Sequence, residues 1–319
     1  MSHVTLKEVL KYTRKEKYGI PCLAGSTLEM IIGIIKAAEE CRSPIIICYN
    51  HQLSPDIPIE IAMPLLVSFA EKSRMPVATI LDHGSDFKLI IKSMYYGSSS
   101  IMFDGSGLPF DKNVESTQEI VKIAHSLGIS VEAELGAVGG SVVETSYNRE
   151  SIESIYTKPD EVSEFVKKTN IDALAISFGN THGRYQGEPK IDLNLVKNIA
   201  LLTEVPLVMH GASGLEFNQY KLIVESGISK INYFSAMCSN MYKKMKIFLE
   251  NSGEDSFCIN TIPMSIQFWY VETRKLLEVL NCKSKANNFF KSFNESNESM
   301  NNLMEVISET VYKRLKFNN

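Results

Sequence analysis

Short apolar segments rich in β-branched residues alternate along the chain with longer segments in which apolar residues recur every three or four positions. The runs PIIICY and PLVM are apolar at consecutive positions, which is typical of parallel strands buried on both faces. The segments FKLIIKSMYYG and TQEIVKIAHSLG have helical periodicity and close on Gly97 and Gly128, a residue type that commonly follows a helix. The pattern predicts eight strands: Ile20–Ala24, Pro44–Asn50, Val77–Asp82, Ser100–Asp104, Ser130–Leu135, Ala173–Phe178, Leu207–His210 and Lys230–Phe234.

Eight βα units within residues 1–281 favour an α/β fold of the closed (β/α)8 TIM-barrel type. The alternative is a doubly wound Rossmann-like sheet, but no GxGxxG follows the first predicted strand. Past Ala236 the pattern becomes helical. Residues 282–319 are predicted to add a polar linker, centred on the Asn/Ser-rich stretch 287–302, and a C-terminal amphipathic helix that could dock on the barrel or on a second subunit.

Composition narrows the function classes. The chain has 319 residues, 44% of them hydrophobic, and a formal net charge of −4 without a basic stripe, which argues against nucleic-acid binding. It contains no apolar run near the roughly 18 residues that a membrane helix needs, and its N-terminus has no apolar signal segment, so we expect a cytoplasmic protein with no membrane partner. The six cysteines form no CxxC pair, which predicts reduced thiols.

Polar residues end most of the predicted strands. Catalytic residues of barrel enzymes come from the C-terminal strand ends, so these side chains are expected to converge. Three of the six histidines, His83, His182 and His210, lie at three different strand ends, and the carboxylates Asp82, Asp104 and Glu134 also lie at predicted strand ends. Three imidazoles with an open fourth position make a catalytic Zn²⁺ site. The remaining histidines, His3, His51 and His125, have no comparable setting and are assigned to structure or solvent.

Glycine-bracketed turns provide a second signal. The sequence HG follows the sixth predicted strand and HGASG follows the seventh. Backbone N–H groups in such turns, together with a serine hydroxyl and the start of a helix, bind phosphate. Each turn alone is more often only a tight turn, but beside the histidines they predict a phosphorylated substrate.

The motifs LDHG, FDGS, AHSLGISVEAELGAVGG, FGNTHGRY, PLVMHGASG and GISKIN resemble those of the class II fructose- and tagatose-bisphosphate aldolases. The resemblance implies that the catalytic zinc ligands are His83, His182 and His210. It implies that Asp82 is the acid/base acting on the C4 hydroxyl, and that Asp104 and Glu134 hold a metal in an alternate or second position. It also implies a cradle for the phosphate of dihydroxyacetone phosphate, formed by Gly183, Gly211, Ala212, Ser213, Asn232 and Ser235, with a monovalent cation (Na⁺ or K⁺) nearby.

The activity implied by the resemblance is reversible aldol cleavage of a ketose bisphosphate, such as fructose- or tagatose-1,6-bisphosphate. The products are dihydroxyacetone phosphate and an aldehyde, formed through an enediolate that Zn²⁺ stabilises. No lysine Schiff base is required. The resemblance further implies a homodimer or homotetramer in which a basic residue of a neighbouring subunit reaches the second phosphate, and Arg274 is the candidate for that residue.

Several positions depart from the family pattern. Ala24 stands where the family has an asparagine that faces the substrate, and Asn50 or His51 replaces a serine. In the loop after Gly140, Glu144 is the nearby candidate for the acid that moves the C3 proton. Phe234 brings an aromatic ring toward the sugar. These changes surround an intact histidine triad, so we hypothesise the same mechanism with a changed substrate.

Two other functions stay open at the sequence level. One is a different metal-dependent sugar-phosphate barrel enzyme, such as an isomerase or a hydrolase. The other is a metal-containing barrel that has lost turnover and serves as a binding or scaffold protein. For Asp82, the alternative to acid/base catalysis is a carboxylate that only orients His83.

Overall fold

The fold is a closed barrel of eight parallel strands, each followed by helical structure. The computed structural model describes residues 2–84, 86–139, 156–183, 185, 188–253 and 256–290. Each strand pairs with its neighbours in chain order, and β1 also pairs with β8, which closes the ring. The predicted (β/α)8 TIM barrel is therefore confirmed. The strands are β1 (Ile20–Ala24), β2 (Ile45–Tyr49), β3 (Val77–Gly84), β4 (Ser100–Phe103), β5 (Ser130–Leu135), β6 (Ala173–Ile176), β7 (Leu207–Met209) and β8 (Ile228–Asn232).

Consecutive apolar residues make these strands because both of their faces are covered. Every residue of β1, β2 and β5 is buried, with one face toward the barrel interior and the other toward the helices. The helices are α1 (Leu6–Leu10), α2 (Thr13–Glu16), α3 (Leu28–Cys41), α4 (Ile59–Lys72), α5 (Phe87–Tyr95), α6 (Phe110–Ser126), α7 (Pro159–Thr169), α8 (Leu193–Leu202), α9 (Phe217–Ser226), α10 (Ser235–Glu250) and α11 (Thr261–Val279), with a 3₁₀ turn at Cys258–Asn260.

The predicted strand boundaries were least accurate at β8. This strand was expected at Lys230–Phe234 but runs from Ile228 to Asn232. Phe234 lies in the turn that precedes α10, and α10 begins at Ser235 rather than after Ala236. At β7 and β4 the strand ends one residue earlier than predicted, so His210 and Asp104 directly follow their strands.

The segment after α11 packs against the barrel as far as it is described. Residues 287–290 are helical rather than irregular. Phe289 is buried, and its ring lies edge-on to that of Tyr12 at 5.8 Å. The rest of the predicted linker and the C-terminal helix lie outside the described residues, so the division of the chain at residue 282 stays a prediction. Within the described part of the chain, no helix is both long and apolar enough to cross a membrane.

Candidate metal and substrate site

Three histidines converge at the C-terminal end of the barrel. His83 ends β3, His182 lies in the loop after β6, and His210 directly follows β7. One ring nitrogen from each lies within 4.8 Å of the others, and the ring centroids are 4.5 to 5.9 Å apart. The side-chain amide of Asn180 ties the two loops together, because its Nδ2 donates to the carbonyl of His210 at 3.0 Å.

Asp82 and His83 are adjacent in sequence, yet both line the same pocket. Consecutive residues of a regular strand point to opposite faces. Here the register between β3 and β4 shifts between Leu81 and Gly84, and His83 adopts a left-handed backbone with φ of 52°. This bulge turns the imidazole to the side of the Asp82 carboxylate. A non-glycine residue in this conformation is a strained feature of the kind that clusters at functional sites.

A carboxylate holds the ring of His83. Its Nδ1 lies 2.9 Å from Asp104 Oδ2, and Ser106 donates its hydroxyl to the other oxygen of Asp104 at 2.7 Å. The Nε2 atom of His83 therefore faces the other histidines. His83, Asp104 and Glu134 form a second group with ligand atoms within 4.8 Å of one another. The alternate or second metal position that the resemblance implies for Asp104 and Glu134 stays a prediction.

His210 is held by residues that the sequence analysis did not select. Its Nε2 lies 2.8 Å from Glu132 Oε1, and the second oxygen of Glu132 accepts from Lys230 Nζ at 2.6 Å. All three side chains are fully buried. The signal in the sequence was a charged residue in the middle of a predicted strand, Glu132 in SVEAEL, and one at the start of another, Lys230 in GISKIN.

Both oxygens of the Asp82 carboxylate accept from amides. Asn50 Nδ2 donates to one oxygen at 3.0 Å and Asn232 Nδ2 to the other at 2.8 Å. The sequence left Asn50 and His51 as alternatives at this position. Asn50 is buried beside Asp82 and His51 is exposed, and which of the two replaces the family's serine stays a prediction.

Burial and neighbouring charges shift the pKa values of His83, His182 and Glu134 in different directions. Burial opposes the charging of His83, but the carboxylates of Asp82, Asp104 and Glu134 outweigh it and raise the pKa of His83 to about 9. Burial, joined by the charge of His83, lowers the pKa of His182 to about 3. Burial, reinforced by the charge of Asp104, raises the pKa of Glu134 to about 8.

The pKa of Asp82 moves in the opposite direction from that of Glu134. Burial opposes its ionisation, but the neighbouring imidazoles, Lys230 and the Asn50 hydrogen bond outweigh that effect and hold the pKa of Asp82 below its ordinary value. A carboxylate that is ionised at neutral pH therefore lies beside the histidines.

The donor set fits a divalent metal ion. Six buried side-chain polar atoms have no hydrogen-bond partner among the described residues, and three of them lie at this site: His83 Nε2, Glu134 Oε2 and Asn232 Oδ1. Buried polar groups are almost always paired, so unpaired atoms at one spot indicate a missing ligand. Imidazole nitrogens with a nearby carboxylate oxygen are ligands that Zn²⁺ prefers.

The three histidines all line one pocket at this end of the barrel. Most of the residues predicted to hold the phosphate line it as well: Gly183, Gly211, Ser213, Asn232 and Ser235. Ala212 does not line the pocket, because it is fully buried and its N–H points to the carbonyl of Asn232 at 3.4 Å.

Two tyrosines fix the loop after β7. Tyr185 donates its hydroxyl to the carbonyl of Gly211 at 2.8 Å, and Tyr220 donates to the carbonyl of Ala212 at 2.6 Å. Gly211 has φ of 64°, and a Cβ atom added there would lie 2.3 Å from the carbonyl oxygen of Thr181. Glycine is therefore required where this loop crosses the loop after β6.

Part of the pocket lining is apolar, and we call this part the apolar wall. It is formed by Cys22 and Ala24 of β1, Cys48 of β2, Leu53 and Phe234. The departures from the family pattern at Ala24 and Phe234 thus face the same space as the histidines.

The roles of two further sequence candidates stay predictions. Glu144 lies outside the described residues. Arg274 lies on α11, where its guanidinium pairs with Glu40 Oε1 of α3 at 3.3 Å, and it does not line the pocket. His125 and His3 are structural as predicted, since His125 bonds Asp172 at 2.8 Å and His3 bonds Thr79 at 2.8 Å.

Comparisons with known proteins agree with this geometry. A family model described as class II fructose-bisphosphate aldolase matches residues 4–316. The fructose-bisphosphate aldolase of Geobacillus stearothermophilus is 38% identical over 235 residues, which cover 73% of this chain and 80% of that protein. The sulfofructosephosphate aldolase of Alkalicoccus urumqiensis is 28% identical over 289 residues, which cover 91% of this chain and 100% of that protein. The solved structure of the YdjI aldolase from Escherichia coli K12 matches with a TM-score of 0.78 and 31% identity, over 89% of this chain and 99% of that chain.

Proposed function

Since the chain belongs to the class II fructose-bisphosphate aldolase family, we propose that it cleaves a phosphorylated ketose reversibly to dihydroxyacetone phosphate and an aldehyde, with Zn²⁺ as its metal. The observation that best supports this proposal is the convergence of three imidazoles beside a carboxylate that is ionised at neutral pH. Relatives bear the names of aldolases for two different sugar phosphates, so family membership leaves the substrate open.

The metal would be held by His83, His182 and His210. His83 would offer Nε2, because Asp104 occupies its Nδ1, and His210 would offer Nδ1, because Glu132 occupies its Nε2. Asp104 and Glu134 would serve an alternate or second position beside His83. When bound, the metal supplies Lewis-acid stabilisation of the negative charge that develops on the ketone oxygen.

Asp82 would accept the proton of the C4 hydroxyl as the C3–C4 bond breaks. A general base must be ionised and within reach of the proton, and the lowered pKa and the pocket position of Asp82 supply both conditions. The alternative is that Asp82 orients His83. That role is filled by Asp104, which bonds the His83 ring at 2.9 Å, whereas Asp82 bonds Asn50 and Asn232.

The phosphate of the three-carbon product would lie against the loops after β6, β7 and β8. Gly183, Gly211 and Ser213 would offer backbone N–H groups or a hydroxyl, and Ser235 opens α10, whose N-terminus favours an anion. Ala212 would support this cradle from behind. A monovalent cation near the phosphate stays a prediction, as do the homodimeric or homotetrameric state and the cytoplasmic location.

The apolar wall supports a changed aldehyde portion. Ala24 and Phe234 offer no hydrogen bond from their side chains, and among the described residues no lysine or arginine lines the pocket. A site without donors binds a polar group poorly, because that group loses its water without gaining a partner. We propose that this wall sets which aldehyde the enzyme releases.

The test is metal-dependent exchange of the C3 proton of dihydroxyacetone phosphate with deuterated water, followed by NMR. Exchange that requires Zn²⁺ and disappears in His210→Ala would support the proposal without any assumption about the aldehyde. A lack of exchange by protein with stoichiometric zinc would favour an isomerase, a hydrolase or a scaffold. Glu144 is proposed to move this proton, so Glu144→Gln should slow the exchange while zinc stays bound.

A further inference from the structure

An ion pair lies inside the barrel beneath the candidate metal site. Lys230 of β8 and Glu132 of β5 are 98 positions apart in sequence, and their charged atoms meet at 2.6 Å across the barrel interior. Both side chains have 0% exposure, and neither lines the pocket. Taking two charges out of water costs more free energy than an apolar pair of the same size would. Stability alone therefore does not account for this pair.

The pair continues into His210. The second oxygen of Glu132 lies 2.8 Å from His210 Nε2, so the three side chains form one buried chain, which we call the Lys230–Glu132–His210 chain. An ionised carboxylate can only accept hydrogen bonds. Nε2 of His210 must therefore carry the hydrogen, and the lone pair of the neutral ring must be on Nδ1. The far side of the ring agrees, since the amide nitrogen of Asn232 lies 3.1 Å from Nδ1 and can donate to it.

Lys230 completes the arrangement from the other end. Glu132 has one oxygen on His210 and the other on Lys230, so the plane of the carboxylate is fixed by two partners on different strands. Without Lys230, the carboxylate would be a buried charge with a single neutral partner. A rotation of its plane would then release the imidazole.

We propose that Glu132, held by Lys230, is the positioning residue that fixes the tautomer and ring orientation of His210, so that Nδ1 faces the space shared with His83 and His182. Neither residue touches substrate in this role. The inference deepens the proposed function and rests on the histidine triad as its metal site. Outer partners of this kind commonly determine how tightly a histidine site binds its ion.

Two charge-balanced double variants test the hydrogen bond to His210. Glu132→Gln with Lys230→Met removes both charges but keeps an acceptor for the imidazole. Glu132→Leu with Lys230→Met removes both charges and the acceptor. Zinc affinity, measured by competition with a chromophoric chelator, should be about 10- to 100-fold weaker in the Leu/Met variant than in the Gln/Met variant. Equal affinities in two folded variants would overturn the proposal.

NMR of metal-free protein tests the tautomer directly. Long-range ¹H–¹⁵N spectra of protein labelled at histidine, with His210 assigned through His210→Ala, should show the proton on Nε2 in the wild type. They should show a mixture of tautomers, or a loss of preference, in the Leu/Met variant. A proton on Nδ1 in the wild type would overturn the proposal, whatever the zinc affinities are.

Thermal unfolding tests the role of Lys230 separately. Lys230→Met alone leaves an unpaired buried carboxylate, so it should unfold at a lower temperature than the Gln/Met variant, which has no buried charge at this place. A single variant as stable as that double variant would overturn the role of Lys230.

Asp172→Asn serves as the control, and failure of the positioning inference can be told apart from failure of the proposed aldolase function. Asp172→Asn alters another buried carboxylate–histidine contact, with His125, and should leave zinc affinity unchanged. If wild-type protein binds zinc with His210 in the expected tautomer but exchanges no C3 proton, the proposed aldolase function fails and the positioning inference stands. Wild-type protein that binds no zinc would overturn both.

Discussion

The carboxylate of Asp82 lies 3.9 Å from Nδ1 of His210, and the amide of Asn232 is within hydrogen-bond distance of both groups. The proposed base and one proposed metal ligand are thus parts of one hydrogen-bonded network. A shift of Asn232 would move both, so the two roles proposed for Asp82 and His210 would be coupled through a single side chain.

Asp82→Asn should separate the two halves of the reaction. The amide keeps the shape of the carboxylate but cannot take the C4 proton, so cleavage should slow by about 10²- to 10⁴-fold. Zinc content and exchange of the dihydroxyacetone phosphate C3 proton should persist. Steady-state cleavage assays and NMR exchange measure the two, with exposed Asp56→Asn as the control. Equal losses of cleavage and exchange would mean that Asp82 acts through the metal site.

Asn50→Ala should change the pH dependence of cleavage. The hydrogen bond from Asn50 favours the ionised form of Asp82, so its removal should raise the pKa of Asp82. The ionised base is lost as pH falls through that pKa, and the acid limb of the profile of kcat/KM should therefore move to higher pH. His51→Ala is the matched neighbour and should leave the limb in place. An unmoved limb in Asn50→Ala would contradict ionisation of Asp82 as its cause.

Zinc binding should release a proton from His83. The pKa of His83 is raised to about 9, so near neutral pH its ring is protonated without metal, and zinc must displace that proton to reach Nε2. Zinc affinity should therefore rise with pH. Below about pH 9, each decrease of one pH unit should weaken the affinity about tenfold. Calorimetry in buffers of different ionisation enthalpy counts the protons. No release would contradict His83 as a ligand, and His125→Ala should not alter the count.

A parallel sheet covered on both faces could be predicted from the sequence because strands such as PIIICY are apolar at every position, and the count of eight βα units favoured a closed barrel. The histidines could be selected because they end different strands. The sequence did not identify Glu132 and Lys230, because each is buried inside the barrel and the two are 98 positions apart in the chain. A local pattern marks such a charge as unusual but does not say which side chain across the barrel compensates it. The turn at Phe234 was missed because apolar residues continue past the last ladder pair of β8.

Two substitutions in the apolar wall should change substrate preference. Ala24→Asn adds an amide to the pocket, and Phe234→Ala removes the aromatic ring from it. The ratio of kcat/KM between a phosphorylated and an unphosphorylated aldehyde, in condensation with dihydroxyacetone phosphate, should change by at least about 10-fold. Exchange of the C3 proton should stay near the wild-type rate. If both variants keep the wild-type ratio, the hypothesis of a changed substrate is wrong.

Gly211→Ala should destabilise the protein more than a matched glycine substitution elsewhere. Both Gly211 and Gly128 have left-handed backbones, with φ of 64° and 72°, for which an alanine costs about 1–2 kcal/mol. Only Gly211 would bring its new methyl group against a backbone carbonyl, since nothing lies within 4 Å at Gly128. Thermal unfolding should show a larger loss of Tm for Gly211→Ala. Equal losses of Tm would mean that the loops after β6 and β7 can move apart at no cost in stability.

The bulge in β3 has a mechanical consequence. Most pairs of catalytic groups are carried by separate elements, so thermal motion of those elements changes the distance between the groups. Asp82 and His83 are joined by a single planar peptide unit whose bond lengths do not change. The Asp82 carboxylate and the His83 imidazole would therefore move together when the strands move, and the spacing of these two groups would change less with temperature or mutation than a distance that spans two strands.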